Sequence, residues 1–242
     1  MPAFKAAIMD KNIYENKLGH QPIRAIITGA TGMVGEGVLN TCLENSDVEA
    51  VLVVSRRPTG ISHPKLKEII HQDFFDCSGI AGQLDGYNAC FFCLGVTSLG
   101  KTEAAYHKLT YELTLQFAKT LCLINKNMTF CYISGKGTDR SAKSAIMWSR
   151  VKGITERDLD RLPFSKVFCF RPSIIIPTPG NRHTLKIYHY FSWLFPLLSK
   201  CFPASFCTLK ELSQAMVNAV NLPIDRAIYE VADIHEAATP DH

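Results

Sequence analysis

Hydrophobic and polar positions along this chain alternate between short apolar runs rich in β-branched residues and longer segments of helical period. The apolar runs predict strands: IRAIIT (23–28), EAVLVVS (49–55), LKEIIHQ (66–72), NACFFCL (88–94), MTFCYIS (128–134) and KVFCFRP (166–172). The longer segments predict helices over 33–45, 103–125 and 143–162. Nearly continuous apolar strands that alternate with helices are typical of a parallel sheet covered on both faces. The pattern therefore predicts a doubly wound α/β fold.

The alternation becomes irregular after Arg171. PSIIIPTPGNR (172–182) contains three prolines and a glycine and predicts a loop, helical pieces follow near 184–200 and 209–221, and AIYEVADI (227–234) predicts a closing strand. We interpret residues 1–20 as an extension, 21–172 as the core, and 173–242 as the C-terminal part of the same domain. This last part is expected to form a small substrate-side lobe over the carboxyl edge of the sheet.

Composition narrows the classes of function. The formal charge of +4 comes from scattered basic residues and gives no support to nucleic-acid binding. The nine cysteines lie largely in apolar runs, and Cys90 and Cys93 would point to opposite faces of a strand, which indicates buried thiols in a reducing compartment. The N-terminus has no apolar signal segment, and the apolar stretch 187–202 is too short to span a bilayer. We therefore expect a cytoplasmic protein without stable membrane insertion.

A glycine-rich loop joins the first strand to the first helix in TGATGMVGEG. Glycines let the backbone approach a diphosphate, which then lies against the N–H groups at the start of the helix. Because the motif stands between a predicted strand and a predicted helix, it predicts a dinucleotide-binding Rossmann fold. The predicted contacts in this loop are Gly29, Thr31, Gly32, Met33, Val34 and Gly35.

The end of the second strand bears on the choice of cofactor. An NAD-preferring site usually has an acidic residue there that binds the ribose 2′-hydroxyl, whereas this chain has Ser55, Arg56 and Arg57. Guanidinium groups pair well with a 2′-phosphate. We predict a preference for NADP(H), with NAD(H) as the alternative cofactor and solvated loop arginines as the alternative interpretation.

Residues 22 to about 172 resemble the short-chain dehydrogenase/reductase superfamily, specifically its atypical, NmrA-like and epimerase-like branch. The spacing of Gly29, Gly32 and Gly35 is that branch's version of the loop. The resemblance implies that Asp73 and Phe74 border the adenine, although Asp73 equally suits a turn. It also implies that the loop along the cofactor consists of Cys93, Leu94, Gly95, Val96 and Thr97. Ser134 would be the active-site serine, and Pro172 and Ile174 would lie near the nicotinamide.

The family's Y-x-x-x-K motif reads WSRVK here, so Lys152 matches and Trp148 replaces the tyrosine. In active members the tyrosine transfers a proton while hydride moves, and the lysine binds the nicotinamide ribose. An indole N–H does not ionise in the working pH range, and the loss of a positioned acid typically costs about 10²–10⁴-fold in rate. The candidate catalytic positions are therefore Ser134, Trp148 and Lys152. Replacement acids would be Tyr106, His107, Tyr111 or Lys136.

Three hypotheses follow. The first is an NADP(H)-binding sensor or partner-binding module without orthodox dehydrogenase turnover. The second is a genuine NADPH-dependent reductase or epimerase-like enzyme that acts on a small apolar carbonyl compound. The third is a peripheral membrane protein that docks through residues 185–199. The aromatic stretch 187–195 would form core, an apolar ligand pocket or a homodimer face.

Overall fold

A computed structural model of the chain describes residues 21–178, 180–183, 202–222 and 226–239. The strands are β1 (Ile23–Thr28), β2 (Val48–Ser55), β3 (Leu66–Ile70), β4 (Ala89–Phe92), β5 (Thr129–Ile133), β6 (Lys166–Phe170), β7 (Ile174–Ile176), β8 (Phe206–Thr208) and β9 (Ile228–Tyr229). The helices are α1 (Met33–Glu44), α2 (Glu103–His107), α3 (Leu113–Ile124), α4 (Met147–Leu159), α5 (Leu209–Ala219) and α6 (Val231–Ala238). The predicted extension 1–20, the helical piece near 184–200 and the aromatic stretch 187–195 lie outside the described residues.

Seven parallel strands form the main sheet in the order β3-β2-β1-β4-β5-β6-β9. The chain runs outward from β1 to β3 and then returns to β4 on the other side of β1. The carboxyl ends of β1 and β4 therefore enclose the topological switch point, where ligands bind in sheets of this type. The predicted doubly wound fold is confirmed.

Two apolar clusters cover the two faces of the sheet. One cluster packs α1, α5 and α6 against the strands through side chains such as Leu39, Leu212 and Ile234. The other packs α3 and the end of α4 against the opposite face through Phe117, Leu121 and Leu159. Because residues of α5 and α6 belong to the first cluster, the C-terminal part shares the main core.

Both cysteines of the C-x-x-C pair carry free thiols. Cys90 packs in the cluster on one face of the sheet and Cys93 against the cluster on the other, as a separation of three residues on a strand requires. The prediction of opposite faces is confirmed.

Three predicted elements differ in the structure. Ile174–Ile176, predicted as loop, forms a short parallel pair with β8 because the β-branched run is long enough for one strand between flanking prolines. The predicted strand 227–234 ends at Tyr229, since Glu230 and Asp233 form a capping box that starts α6. The predicted helix 103–125 is divided by a π-helical turn at Lys108–Glu112.

The predicted position of the C-terminal part is also only partly right. Its helix α5 packs beside α1 on one face of the sheet, where a Cβ on Gly37 would lie 2.5 Å from the Leu209 side chain. At the carboxyl edge lies the start of α6, which directly follows β9. The lobe therefore covers a face of the sheet as well as its edge.

Candidate cofactor-binding and active site

The loop after β1 is built by contacts between backbone segments. Gly29 has a φ of +71°, and a Cβ there would lie 2.6 Å from the carbonyl oxygen of Cys93. A Cβ on Gly35 would lie 2.1 Å from the carbonyl oxygen of Gly29. The loop packs closely between the end of β4 and the first turn of α1, and for this reason neither position admits a side chain.

The first turn of α1 is open to an anion. The residue before the helix is Gly32, which has no side chain to cap it, and no other side chain caps the first turn. The N–H groups of Met33, Val34 and Gly35 thus point out of the helix toward the loop that contains Thr31. A cradle closed to side chains and lined by N–H groups fits a diphosphate. The glycine-loop residues thus surround the start of α1, and their contact with a diphosphate stays a prediction.

The loop after β2 presents two arginines to solvent. The Ser55 hydroxyl donates to the carbonyl oxygen of Arg57 at 2.6 Å, and the Gln72 side-chain amide donates to that of Arg56 at 2.9 Å. Ser55 is buried, so its hydroxyl shapes the loop, while both arginine side chains are exposed. Within the described residues neither guanidinium forms an ion pair.

The prediction for Phe74 needs correction. Its ring is buried in the core, 5.9 Å from the ring of Phe117, because β3 ends at Ile70 and the chain then turns inward. It therefore forms no wall of a surface site. Asp73 remains exposed, and its carboxylate accepts the N–H of Phe75 at 2.9 Å in a turn. Both interpretations of Asp73, turn residue and adenine contact, are compatible with that position.

The loop after β4 borders the glycine cradle. Cys93 and Leu94 are half-buried against Gly29, whereas Gly95 is exposed and a Cβ on it would meet nothing within 4 Å. This loop therefore leaves open space beside the switch point, on the side where a cofactor would extend toward β5.

Trp148 lies over the turn that follows β5. A Cβ on Gly135 would lie 3.8 Å from its Cζ3 atom, and a Cβ on Gly137 would lie 3.7 Å from its Cη2 atom. The adjacent Ser149 hydroxyl donates to the Gly137 carbonyl oxygen at 2.6 Å and ties α4 to the same turn. The ring thus rests on a surface of glycines and is half-buried.

Lys152 lies one turn along α4 from Trp148. Its ammonium donates to the carbonyl oxygens of Ser134 and, at 3.5 Å, Ile133, at the end of β5. Desolvation by burial lowers its pKa from 10.5 to about 8, and the Glu156 carboxylate partly opposes this effect. The side chain therefore holds an ammonium that loses its proton close to neutral pH.

The hydroxyl of Ser134 is engaged in buried hydrogen bonds. It donates to Glu156 at 2.5 Å and is 3.3 Å from the Phe170 carbonyl oxygen, and only 5% of the residue is exposed. Glu156 is fully buried and also accepts two hydrogen bonds from Arg171, at 2.9 and 2.6 Å. The Ser134 hydroxyl therefore belongs to the buried ion pair of Glu156 and Arg171. The residue after β5 that faces the Trp148 ring is Gly135.

Sequence reasoning missed both Glu156 and Gly135. Glu156 stands four residues after Lys152 on a largely buried helix, and an acid at such a position signals a buried partner. Gly135 directly follows Ser134, so the alternation of side chains at a strand end sends the two positions in opposite directions.

The predicted nicotinamide-side residues differ in exposure. Pro172 is buried, and its carbonyl oxygen accepts the N–H of Lys136 at 2.9 Å beside Gly135. Ile174 is 42% exposed in β7. Pro172 thus borders the Trp148 turn, while Ile174 presents an apolar surface to solvent.

Three of the four candidate replacement acids are engaged elsewhere. Tyr106 is 2% exposed, and burial raises its pKa. The Tyr111 hydroxyl donates to Asp158 at 2.9 Å, and the Lys136 ammonium donates to the Ala204 carbonyl oxygen at 2.9 Å. His107 lies 3.2 Å from Glu112 and stacks at 4.7 Å on Tyr111. None of these contacts directs a proton toward Trp148.

The part of the chain that the structure describes offers neither a metal site nor a membrane-spanning helix. No cluster of three or more His, Cys, Asp or Glu side chains there is arranged to hold a metal ion. In the same residues, no helix has both the length and the apolarity needed to cross a bilayer. The segment 185–199 of the membrane-docking hypothesis lies outside them, so that hypothesis stays a prediction.

Comparison with known proteins identifies sequence relatives but no matching family model. The chain is 27% identical over 164 residues to protein FMP52-1, mitochondrial, of Scheffersomyces stipitis, a match that covers 67% of this chain and 70% of that protein. It is 24% identical over 152 residues to protein HTATIP2 of Rattus norvegicus, with 62% of each chain covered. The match thus spans about two thirds of the relatives' own length.

Solved structures share the fold at low identity. ADP-L-glycero-D-manno-heptose-6-epimerase of Helicobacter pylori superimposes with a TM-score of 0.64 at 14% identity, covering 88% of this chain and 79% of that one. The Bordetella bronchiseptica enzyme WbmF, in complex with NAD⁺, gives 0.59 at 14% identity, covering 90% and 78%. These similarities confirm the predicted Rossmann fold.

The relatives overturn the predicted cytoplasmic location. FMP52 proteins of several fungi, including Chaetomium globosum and Candida glabrata, are named as mitochondrial. The prediction failed because it rested on the lack of a secretory signal, which says nothing about other organelles.

The lowered pKa of Lys152 predicts how stability depends on pH. Between pH 8 and 10.5 the unfolded chain keeps a proton that the folded protein has released, so this group makes the free energy of unfolding rise with pH. We expect Lys152→Met to be more stable than the wild type at pH 7 by about 1–2 kcal/mol, and the advantage to shrink toward pH 10. Urea denaturation at each pH measures both curves.

The matched control is Lys67→Met, which removes one exposed lysine from β3. Wild-type and Lys152→Met curves that run parallel from pH 7 to 10 would show that Lys152 is not desolvated.

Proposed function

We propose that this chain, whose relatives and fold neighbours support an atypical short-chain dehydrogenase/reductase-like protein, binds NADP(H) without orthodox dehydrogenase turnover. It would act as a sensor of cofactor state or as a cofactor-dependent binding module. The observation that carries this proposal is Trp148, an indole where the resemblance places the proton donor, in a chain that keeps the glycine loop at the start of α1.

The residues that would hold the cofactor fit the group. The N–H groups of Met33, Val34 and Gly35 would bind the diphosphate, and Lys152 would bind the nicotinamide ribose. When bound, the cofactor would supply the hydride chemistry. Binding depends largely on backbone groups, so the replacement of the tyrosine does not remove it.

The preference for NADP(H) is supported by charge. Arg56 and Arg57 are exposed and unpaired within the described residues, and Ser55 and Gln72 fix their main chain. The end of β2 has no carboxylate that would accept a ribose 2′-hydroxyl. A 2′-phosphate would accept hydrogen bonds from these guanidinium groups.

We expect NADPH to raise the melting temperature of the wild type more than NADH does at equal concentration. Arg56→Ala/Arg57→Ala should weaken NADPH binding by about 10- to 100-fold, since hydrogen bonds between charged groups are lost, and change NADH binding little. Thermal shift and calorimetric titration measure both. Equal stabilisation of the wild type by the two cofactors would refute the preference.

The absence of orthodox turnover is supported by three positions. Trp148 has no ionisable hydroxyl, and Gly135, the position directed at its ring, has no side chain. Ser134 gives its hydroxyl to the buried Glu156. The usual pair of hydroxyl groups therefore does not reach the space beside Trp148.

Substitution at these positions tests that account. We expect Trp148→Tyr to raise NADPH oxidation with a panel of aldehydes and ketones by at least about 10²-fold, because a tyrosine beside Lys152 restores a general acid. Adding Gly135→Ser should raise it further, since a Cβ there makes only ordinary contacts at 3.8 Å. Gly135→Ser alone is the matched control, because it supplies no acid. Trp148→Tyr that binds NADPH but stays inactive would contradict the prediction.

The alternative is a reductase in which Lys152 is the replacement acid. The observation that favours it is the lowered pKa of Lys152, about 8 after desolvation, which suits proton transfer at neutral pH. Hydride would go to the carbonyl carbon, the ammonium would protonate the oxygen, and solvent would reprotonate the amine. Wild-type turnover that is lost in Lys152→Met while NADPH still binds would favour this alternative.

The relatives' names also support a mitochondrial location. We expect the full chain with a C-terminal tag to sediment with mitochondria and to resist external protease until detergent is added. Recovery of the tagged protein in the soluble fraction of the lysate would refute a mitochondrial location.

A further inference from the structure

A loop from the far end of the sequence is fixed to the cofactor-binding helix. Glu36, in the first turn of α1, accepts the N–H of Arg182 at 3.0 Å and the N–H and imidazole Nδ1 of His183, each at 3.0 Å. Burial alone would raise the pKa of Glu36, but these hydrogen bonds lower it below its ordinary value. The carboxylate is thus charged, 4% exposed and fully engaged by this loop.

This attachment directs the side chain of Arg182 toward the loop after β2. Its Nη1 atom would lie 3.8 Å from a Cβ on Gly60, which has a φ of +71°. Gly60 lies three residues after Arg57, in the same irregular loop between β2 and β3. Arg182 therefore spans the gap between the first turn of α1 and the loop that would receive the adenosine ribose.

The charges around this gap favour an anion. Arg56, Arg57 and Arg182 are exposed, and within the described residues none forms an ion pair. The two nearby carboxylates are engaged: Glu36 as described, and Glu68 by the N–H and hydroxyl of Thr59, at 3.0 and 2.6 Å. The three guanidinium groups come from the loop after β2 and from the segment that contacts this loop at Gly60, and a doubly charged anion between them would relieve the repulsion of like charges.

We propose that Arg182 is a specificity-determining residue for the 2′-phosphate of NADP(H). It closes the phosphate pocket from the side opposite Arg56 and Arg57. This inference rests on the proposed function and adds a third cation that lies 125 residues beyond Arg57 in the chain. A guanidinium donates in a fork that matches phosphate oxygens, so its effect depends on the phosphate and not on the rest of the dinucleotide.

The test is calorimetric titration of the full chain with NADPH, NADH and 2′,5′-ADP. Arg182→Ala should weaken the binding of NADPH and of 2′,5′-ADP by about 10- to 100-fold. It should weaken the binding of NADH by less than about threefold. Arg182→Lys, which keeps the charge but loses the fork, should recover part of the loss. Arg161→Ala is the matched control, because it removes a 70% exposed arginine of the α4–β6 loop and should leave all three affinities unchanged.

Two outcomes overturn the inference alone. Equal weakening of NADPH and NADH by Arg182→Ala would show that the guanidinium binds the diphosphate. Unchanged NADPH binding in that variant, with wild-type preference for NADPH intact, would show that it stays in solvent. A wild type that binds NADPH no better than NADH would overturn both this inference and the proposed preference. Circular dichroism of each variant excludes loss of fold as the cause.

Discussion

The contact between two backbone segments at Gly29 is the constraint on which the rest of the site depends. Gly29 lies so close to the carbonyl oxygen of Cys93 that it admits no side chain. Gly35, in the first turn of α1, lies similarly close to the carbonyl oxygen of Gly29 and admits none either. This packing leaves the N–H groups of the first helical turn facing the switch point of the sheet. Because these donors belong to the main chain, the proposed anion site would require glycines at these close contacts and no particular side chain elsewhere in the loop.

The sequence was most informative where the backbone itself makes the site. The spacing of Gly29, Gly32 and Gly35 between a strand and a helix predicted the cradle, since only glycine tolerates those approaches. It was less informative at strand ends, where a shift of one residue reverses the direction of a side chain. Phe74 was expected at a surface and lies in the core. Ser134 was expected as the active-site serine, and its hydroxyl bonds to the buried Glu156.

Long-range contacts were beyond the reach of local patterns. The hydrogen bonds from Arg182 and His183 to Glu36 join residues almost 150 positions apart, and no periodicity encodes them. The pairing of Ile174–Ile176 with Phe206–Thr208 was missed for the same reason, because each strand has only three residues and prolines flank the first. In both cases the conformation of the proline-rich segment 172–182 is set by contacts with distant parts of the chain.

The buried ion pair of Glu156 and Arg171 explains how binding and chemistry can separate in one site. Removal of two charges from water is costly, so the pair persists only because each carboxylate oxygen is hydrogen-bonded, one of them by Ser134. The pair joins α4 to the residue that follows β6, and the hydrogen bond from Ser134 joins the end of β5 to the same carboxylate. These contacts hold the carbonyl oxygens to which Lys152 donates. The lysine therefore keeps its place without a tyrosine beside it. Under the proposed function, the side chain at position 148 would remove proton transfer while the groups proposed to hold the cofactor stay in place.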